Sequence, residues 1–269
     1  MMCRILEVSR SGYYYWRSRP VNQRALIREE VRLAVLEAYF LFKRRYGAPR
    51  IAEELQANGI PCCKNHVAAL LREAGLKAHN GRGFRYSIAG AVSRNVCDNI
   101  LKRRFWASRP NEKWVSDITY IRVRSKWFYL SVVMDLYSRA IVGWSFDTHM
   151  TEVLICAAFD MAIARRSLEG DLMVHSDRGV QYRSNAYQNL LKENGCQISM
   201  SRKSNCWDNA AMESFFSRLK VELIYANKFS SFEQVKSAIF EYIEIFYNRQ
   251  RRHSALGYIS PMEFERINS

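Results

Sequence analysis

WVSDITYIRV (114–123), WFYLSVVMD (127–135) and RAIVGWSFD (139–147) decide the fold of this 269-residue chain. All three are rich in β-branched and aromatic residues, and short polar turns divide them, so they read as three strands of an antiparallel meander. A helix over TEVLICAAFDMAIARR (151–166) follows. Then come a buried-looking strand, LMVHSD (172–177), a helix ended by glycine, SNAYQNLLKENG (184–195), and a further strand, CQISMS (196–201). A last helix carries NAAMESFFSRLK (209–220), with Met212, Phe216, Leu219 and Leu223 as its buried stripe. The order β-β-β-α-β-α-β-α predicts an α/β fold, a mixed sheet flanked by helices.

Upstream the grain is different. Residues 22–45 read as a helix with Leu26, Ile27, Val31, Val35, Leu36 and Ala38 on its apolar side. Residues 46–78 parse as a helix (50–57), a Gly59–Pro61 turn and a second helix (64–74) closed by Gly75, the outline of a helix-turn-helix. Any small helical hairpin shows that outline, so DNA contact does not follow from it alone. Residues 79–110 read as a basic linker: Arg82, Arg85, Arg94, Lys102, Arg103 and Arg104 face only Asp98, with Phe84, Tyr86, Phe105 and Trp106 interleaved. Such a stretch suits nucleic-acid backbone tracking or a plain interdomain tether. The expected organisation is therefore a helical region at 1–78 containing the 46–78 module, the linker at 79–110, a core at 111–226 and a helical extension at 227–269.

Charge sharpens this division. The formal net charge is +15, and residues 1–110 hold 21 Lys and Arg against 8 Asp and Glu, while residues 111–269 hold 20 against 18. A basic arm beside a nearly neutral domain points to a nucleic-acid partner, because neutralising phosphates releases counterions. No apolar run reaches the length of a membrane helix, and MMCRILEVSRSGYYYW lacks a signal-peptide core, so a cytoplasmic protein with no membrane partner is expected. Seven cysteines without a CxxC pair read as reduced thiols rather than a zinc site.

Against that neutral background, three acids stand in distinctive segments: Asp117 in WVSDITYI, Asp177 in VHSDRGVQY and Glu213 in NAAMESFFSRLK. Sixty positions separate the first two, and thirty-five residues lie between Asp177 and Glu213. An aspartate in an apolar strand is costly to bury unless paired or metal-bound. One at a strand end before a glycine projects into the crevice where α/β sheets hold ligands. Carboxylates so placed can hold Mg²⁺ for phosphoryl transfer. Spacing alone does not single these three out of twenty-six acids. Asp135 reads as a turn residue, Asp208 as an N-cap and His175 as a structural or substrate-positioning group.

The segments WVSDITYI, HSDRGVQY, SRKSNCWDNAAMESFFSRLK and YNRQRRHSALGYISPMEF resemble transposases of the bacterial insertion-sequence "IS-three" family, specifically the product of its downstream reading frame. The resemblance covers nearly the whole chain. It implies a ribonuclease-H-like fold shared with retroviral integrases, in which Asp117, Asp177 and Glu213 are catalytic and bind two Mg²⁺ or Mn²⁺ ions per active site. Lys220 matches the family's basic residue beyond the glutamate, and Asn205, Trp207, Asp208 and Asn209 match the loop before the catalytic helix. Arg178, Arg202, Lys203, Arg249, Arg251, Arg252 and His253 are the remaining candidate DNA contacts, though the 247–256 tail could equally pack on the core.

The implied function is DNA strand cleavage and strand transfer, with transposon ends and target as partners, a homo-oligomer on DNA, and a bacterial, nucleoid-associated location. In the family an upstream frame supplies a helix-turn-helix and leucine zipper. No long heptad run precedes residue 46 here, so that part is expected from a partner or fusion. A hydrolytic nuclease of the same fold and an inactive DNA-binding partner are the alternative readings.

Overall fold

The computed structural model describes residues 2–18, 22–79, 96–168, 170–202 and 206–268. The chain divides into two compact units, Met1–Ala78 and His79–Ser269.

The first unit is helical: α1 (Met2–Ile5), α2 (Arg10–Ser18), α3 (Gln23–Leu41), α4 (Ala48–Ala57) and α5 (Lys64–Glu73). Asn22 starts α3 by accepting from the Arg24 amide at 3.0 Å, satisfying one of the amides a helix start leaves open. Gly59 turns the chain between α4 and α5 at φ 78°, a left-handed conformation that favours glycine. Val31, Val35, Ala38 and Tyr39 of α3 are buried with Ile51 and Leu55 of α4 and Val67, Leu70 and Leu71 of α5. Tyr46 stacks on Phe42 at 4.1 Å, and the Tyr39 hydroxyl donates to the Lys77 carbonyl at 2.7 Å, tying the end of the unit to its first long helix. Leu26 and Ile27, expected on the buried side, are about half exposed, 50% and 54%. The packed stripe starts one turn later, at Val31, where α4 and α5 reach α3.

The second unit is built on a five-stranded sheet of β1 (Lys113–Val123), β2 (Lys126–Asp135), β3 (Ile141–Asp147), β4 (Met173–Ser176) and β5 (Gln197–Met200), in the order β3-β2-β1-β4-β5. β1, β2 and β3 form the antiparallel meander, and β4 and β5 add in parallel. Parallel neighbours need crossovers, which α6 (Glu152–Arg165) and α7 (Asn185–Glu193) provide. α6 lies close on β3 because position 143 has no side chain. A Cβ on Gly143 would meet the Ala158 carbonyl oxygen at 2.1 Å and the Ala162 amide at 2.8 Å. Trp114, Ile155, Phe159, Tyr182, Tyr187 and Leu191 fill the core beside it.

After β5 the chain forms α8 (Ala210–Leu219), which widens into a π-helical turn over Lys220–Ile224. α9 (Phe232–Phe240) likewise runs on into π-helical turns over Glu241–Tyr247, and α10 (Pro261–Asn268) closes the chain. This C-terminal part is integral to the core. Phe232 stacks on Phe146 at 5.0 Å, and the Asn248 side chain both donates to and accepts from the backbone of Ile141 at 2.9 Å. That pairing satisfies an edge strand that would otherwise offer free backbone groups.

Residues 96–110 are not a loose tether. The Asp98 carbonyl accepts from the Met200 amide at 3.1 Å, the Ile100 amide donates to Ser199 Oγ at 2.9 Å, and Leu101 and Ala107 are buried. The rest of the expected linker, including Arg82, Phe84, Arg85, Tyr86 and Arg94, lies outside the described residues. Among the described residues no helix is long and apolar enough to cross a membrane.

Candidate active site

Strand register delivers two carboxylates to one place. β4 pairs with β1 in parallel only over Lys113–Val115, and the last pair is Val115 with His175. Asp117 and Asp177 each stand two residues beyond that pair, Asp117 within β1 and Asp177 just past the end of β4. Glu213 lies in the first turn of α8, which packs against β1 through a helix whose Met212, Phe215, Phe216 and Leu219 are buried.

Asp117 is densely surrounded by protein yet keeps a partial opening to solvent. Burial, then the charges of Asp177 and Glu213, hold its carboxyl well above the usual range. The Ile118 amide, 2.8 Å from Oδ1, and the Lys220 ammonium oppose that rise. Asp177 is also raised by burial, against the Gly179 amide at 2.7 Å and the charge of Arg183. The glycine matters here: a Cβ on residue 179 would stand 2.8 Å from Asp177 Oδ1. Lys220 is 6% exposed, its Nζ lies 4.9 Å from the Tyr120 ring centroid, and burial pushes its ammonium down to about 8 against the pull of Asp117. Beneath the pair, the buried Tyr182 hydroxyl is 3.0 Å from Ser116 Oγ.

Two desolvated aspartates with Glu213 close by, opposed by Lys220 and Arg183, form a hard-oxygen set that fits a divalent cation of the Mg²⁺ class. Among the described residues no three His, Cys, Asp or Glu side chains already stand at the spacing of a single coordination shell.

The neighbouring acids have other work. Asp135 is buried and accepts from the Asn111 and Tyr137 amides at 2.8 and 2.9 Å, with burial raising it to about 6. Its bond to Tyr137 is the expected turn contact. Asp208 is not an N-cap: α8 begins after Asn209, and no side chain caps it. Asp208 is instead a buried hub accepting from Asn99 at 2.8 Å, Arg103 at 2.9 Å and the Arg202 guanidinium at 3.0 Å. The hydrogen bonds from Arg202 hold it well below the usual carboxylate range. His175 is buried with Nδ1 2.8 Å from Ser199 Oγ, and burial pushes it down to about 4, so it is a neutral structural group at pH 7.

The candidate DNA contacts separate by environment. Arg251 is corrected: it is 2% exposed, and its guanidinium donates to both oxygens of buried Glu222 at 3.0 and 2.8 Å, so it is a core residue unable to reach a duplex. His253 packs edge-on against Tyr247 at 5.1 Å, and Arg252 donates to the Tyr258 carbonyl at 2.9 Å. Arg178 donates to the Ser201 carbonyl at 2.6 Å beside Asp177, Arg202 is committed to Asp208, and Arg249 is exposed. Lys203 and Asn205 lie outside the described residues. No local sequence signal gives the roles of Glu222 and Tyr182, because their hydrogen-bond partners Arg251, Tyr242 and Ser116 are 29, 20 and 66 positions away.

The integrase core domain family matches residues 107–206 and again 213–268, and an HTH-like domain family matches residues 27–82. Transposase InsF for insertion sequence IS3A of Escherichia coli strain K12 is 46% identical over 269 residues, 99% of this chain and 93% of that protein. The chain belongs to the IS3 family of transposases. A second relative is the insertion element IS600 uncharacterized 31 kDa protein of Shigella sonnei, 39% identical over 98% of this chain and 97% of its own. A chain of the simian T-cell lymphotropic virus intasome in complex with PP2A regulatory subunit B56 gamma aligns over 86% of this chain and 74% of its own, at 14% identity and a TM-score of 0.48. The two integrase core matches lie on the five-stranded sheet and its C-terminal helices, which form the ribonuclease-H-like core of this family. Integrase core domains are a divalent-metal-dependent family.

Proposed function

We propose that this transposase cleaves DNA strands at transposon ends and joins them to target DNA, with Asp117, Asp177 and Glu213 as catalytic metal ligands. The observation that carries the reading is the meeting of Asp117 and Asp177 two residues beyond their last strand pair, with Glu213 near enough to raise Asp117. Two divalent ions, Mg²⁺ or Mn²⁺, bound to these carboxylates would supply charge for activating water and a 3′-hydroxyl and for stabilising the leaving oxygen. The chain's own part is positioning. The β1–β4 register fixes two ligands, α8 brings the third, and Lys220 places a cation beside Asp117 for a phosphate oxygen.

Hydrolysis adds water to phosphorus and breaks the bond to the 3′-oxygen, leaving a 3′-hydroxyl. That hydroxyl then attacks a target phosphodiester, forming one P–O bond as another breaks. Neither step needs a protein–DNA covalent bond. The helix-turn-helix-like unit, the exposed Arg249 and the basic arm would hold DNA, and an upstream-frame helix-turn-helix and leucine-zipper protein would add end recognition. A homo-oligomer would hold two ends on the bacterial nucleoid in the cytoplasm.

The test incubates a transposon-end duplex with plasmid target and Mg²⁺. Wild-type protein gives joined products, while Asp117→Asn, Asp177→Asn and Glu213→Gln each lose at least about a hundredfold in joining and still bind DNA; even outer-shell partners of metal ligands matter on that scale. Cut but unjoined ends would favour a nuclease, and full joining by any of the three variants would refute the assignment.

A further inference from the structure

The β1–β2 hairpin outgrows the sheet. β4 stops pairing with β1 at Val115, and β3 stops pairing with β2 at Tyr129, so Ile121–Phe128 projects as a two-stranded ribbon. A projecting ribbon normally blunts its edges with charge. This one also exposes large aromatic rings: Tyr120 and Trp127 are each 47% exposed and meet edge-to-face at 5.5 Å. Cations alternate with them. Lys220 lies over the Tyr120 ring at 4.9 Å and Arg122 over the Trp127 ring at 5.7 Å. At the tip is an open cleft of about 460 Å³ lined by Arg122, Arg124, Asn227, Lys228, Phe229 and Ser230 among others, none of them acidic. The near end of the strip is anchored at the carboxylates, since Lys220 acts on Asp117 as well as on Tyr120.

We propose that this strip is a track for an unpaired DNA strand leaving the active carboxylates, with bases against Tyr120 and Trp127 and phosphates at Arg122, Arg124 and Lys228. It rests on the transposase reading. Alternating rings and cations bind single strands without sequence preference, because every base has a stacking face and every linkage a charge. Among the described residues, the ion pairs use none of these five side chains, and the rings pack against each other and Arg122 across the hairpin while staying half exposed. The Arg122 guanidinium also donates to the Arg124 backbone carbonyl at 3.2 Å, which holds Arg122 at the mouth of the cleft.

The test measures binding of the full-length protein to a fluorescent duplex with a single-stranded overhang and to its blunt counterpart, across a salt series. Wild type binds the overhang more tightly. Trp127→Ala weakens the overhang complex by about tenfold and leaves the blunt one unchanged, as loss of one stacking contact implies. The triple variant Arg122→Ala, Arg124→Ala, Lys228→Ala lowers the slope of log affinity against log salt by about 2, three phosphate contacts on a single strand, and the charge-keeping variant Arg122→Lys, Arg124→Lys, Lys228→Arg restores it. Unchanged slope and overhang affinity in both variants overturn the track. Should a variant fail to fold by circular dichroism, wild-type protein crosslinked to an overhang containing 5-iodouracil decides: adducts on Tyr120 or Trp127 support the track, and adducts only elsewhere overturn it. A chain that binds through the strip yet never joins DNA overturns the transposase reading alone, while one that joins DNA with an unaltered slope in the triple variant overturns only the track.

Discussion

Two acidic clusters lie along one helix and are built in opposite ways. Toward the sheet, Glu213 of α8 adds a third negative charge to Asp117 and Asp177, and the group at the centre is pushed above its ordinary range by burial and repulsion. Nine residues on, in the π-helical continuation, Glu222 is more closed off, at 3% exposure, and is paired within the core. Arg251 takes both of its oxygens, and the Tyr242 hydroxyl donates to one at 2.8 Å. The second cluster is complete as it stands. The first has Lys220 and Arg183 opposing its repulsion, yet burial and like charge still hold Asp117 raised, a state that marks candidate functional groups. The contrast teaches which of two acids to suspect of chemistry: the one whose surroundings leave it raised rather than paired within one closed ion pair.

Breaking the satisfied cluster has the larger expected effect on stability. Arg251→Ala leaves Glu222 buried without its cation and is expected to cost about 3–5 kcal/mol in denaturant melts. Replacing both partners together, Glu222→Leu with Arg251→Met, is expected to recover most of that loss, because no charge is then left unpaired. If Arg251→Ala instead melted like wild type but lost DNA binding, the guanidinium would be a DNA contact after all.

Relieving the repelling cluster has the smaller effect and the opposite sign. With its carboxyl raised in the folded state, Asp117 contributes stability that is fully present below its unfolded value and is lost as pH rises through the folded one. Asparagine cannot lose that proton. In metal-free buffer Asp117→Asn is therefore expected to be more stable than wild type at pH 8 by about 1 kcal/mol or more, and to show little advantage at pH 4. Equal melting at both pH values would mean the carboxylates do not repel in solution.

Much of this arrangement is legible in the amino-acid sequence. The meander, the two crossovers and the helix bearing Glu213 follow from residue periodicity, which is local. So does the placement of Asp117 in a strand and Asp177 at a strand end. The role of Glu222 is not legible there, because its partner Arg251 stands 29 residues away; Asp208 is held in part by Arg202, six residues off, but its bonds to Asn99 and Arg103 cross 109 and 105 residues. By sequence, Arg251 therefore passes for a surface cation in a basic tail. Leu26 and Ile27 mislead for a related reason. Helical spacing marks a face, and whether anything covers that face is decided by α4 and α5, which start to bury α3 only at Val31.

Thermal melting with and without Mg²⁺ tests most directly whether the Asp117 cluster is a metal site. A ligand that binds only the folded state raises its melting temperature in proportion to the logarithm of saturation. Wild type is expected to melt higher as Mg²⁺ is added, while Asp117→Asn begins higher and no longer responds. A wild-type protein indifferent to Mg²⁺ and Mn²⁺, or an Asp117→Asn variant that gains as much as wild type, would contradict the account.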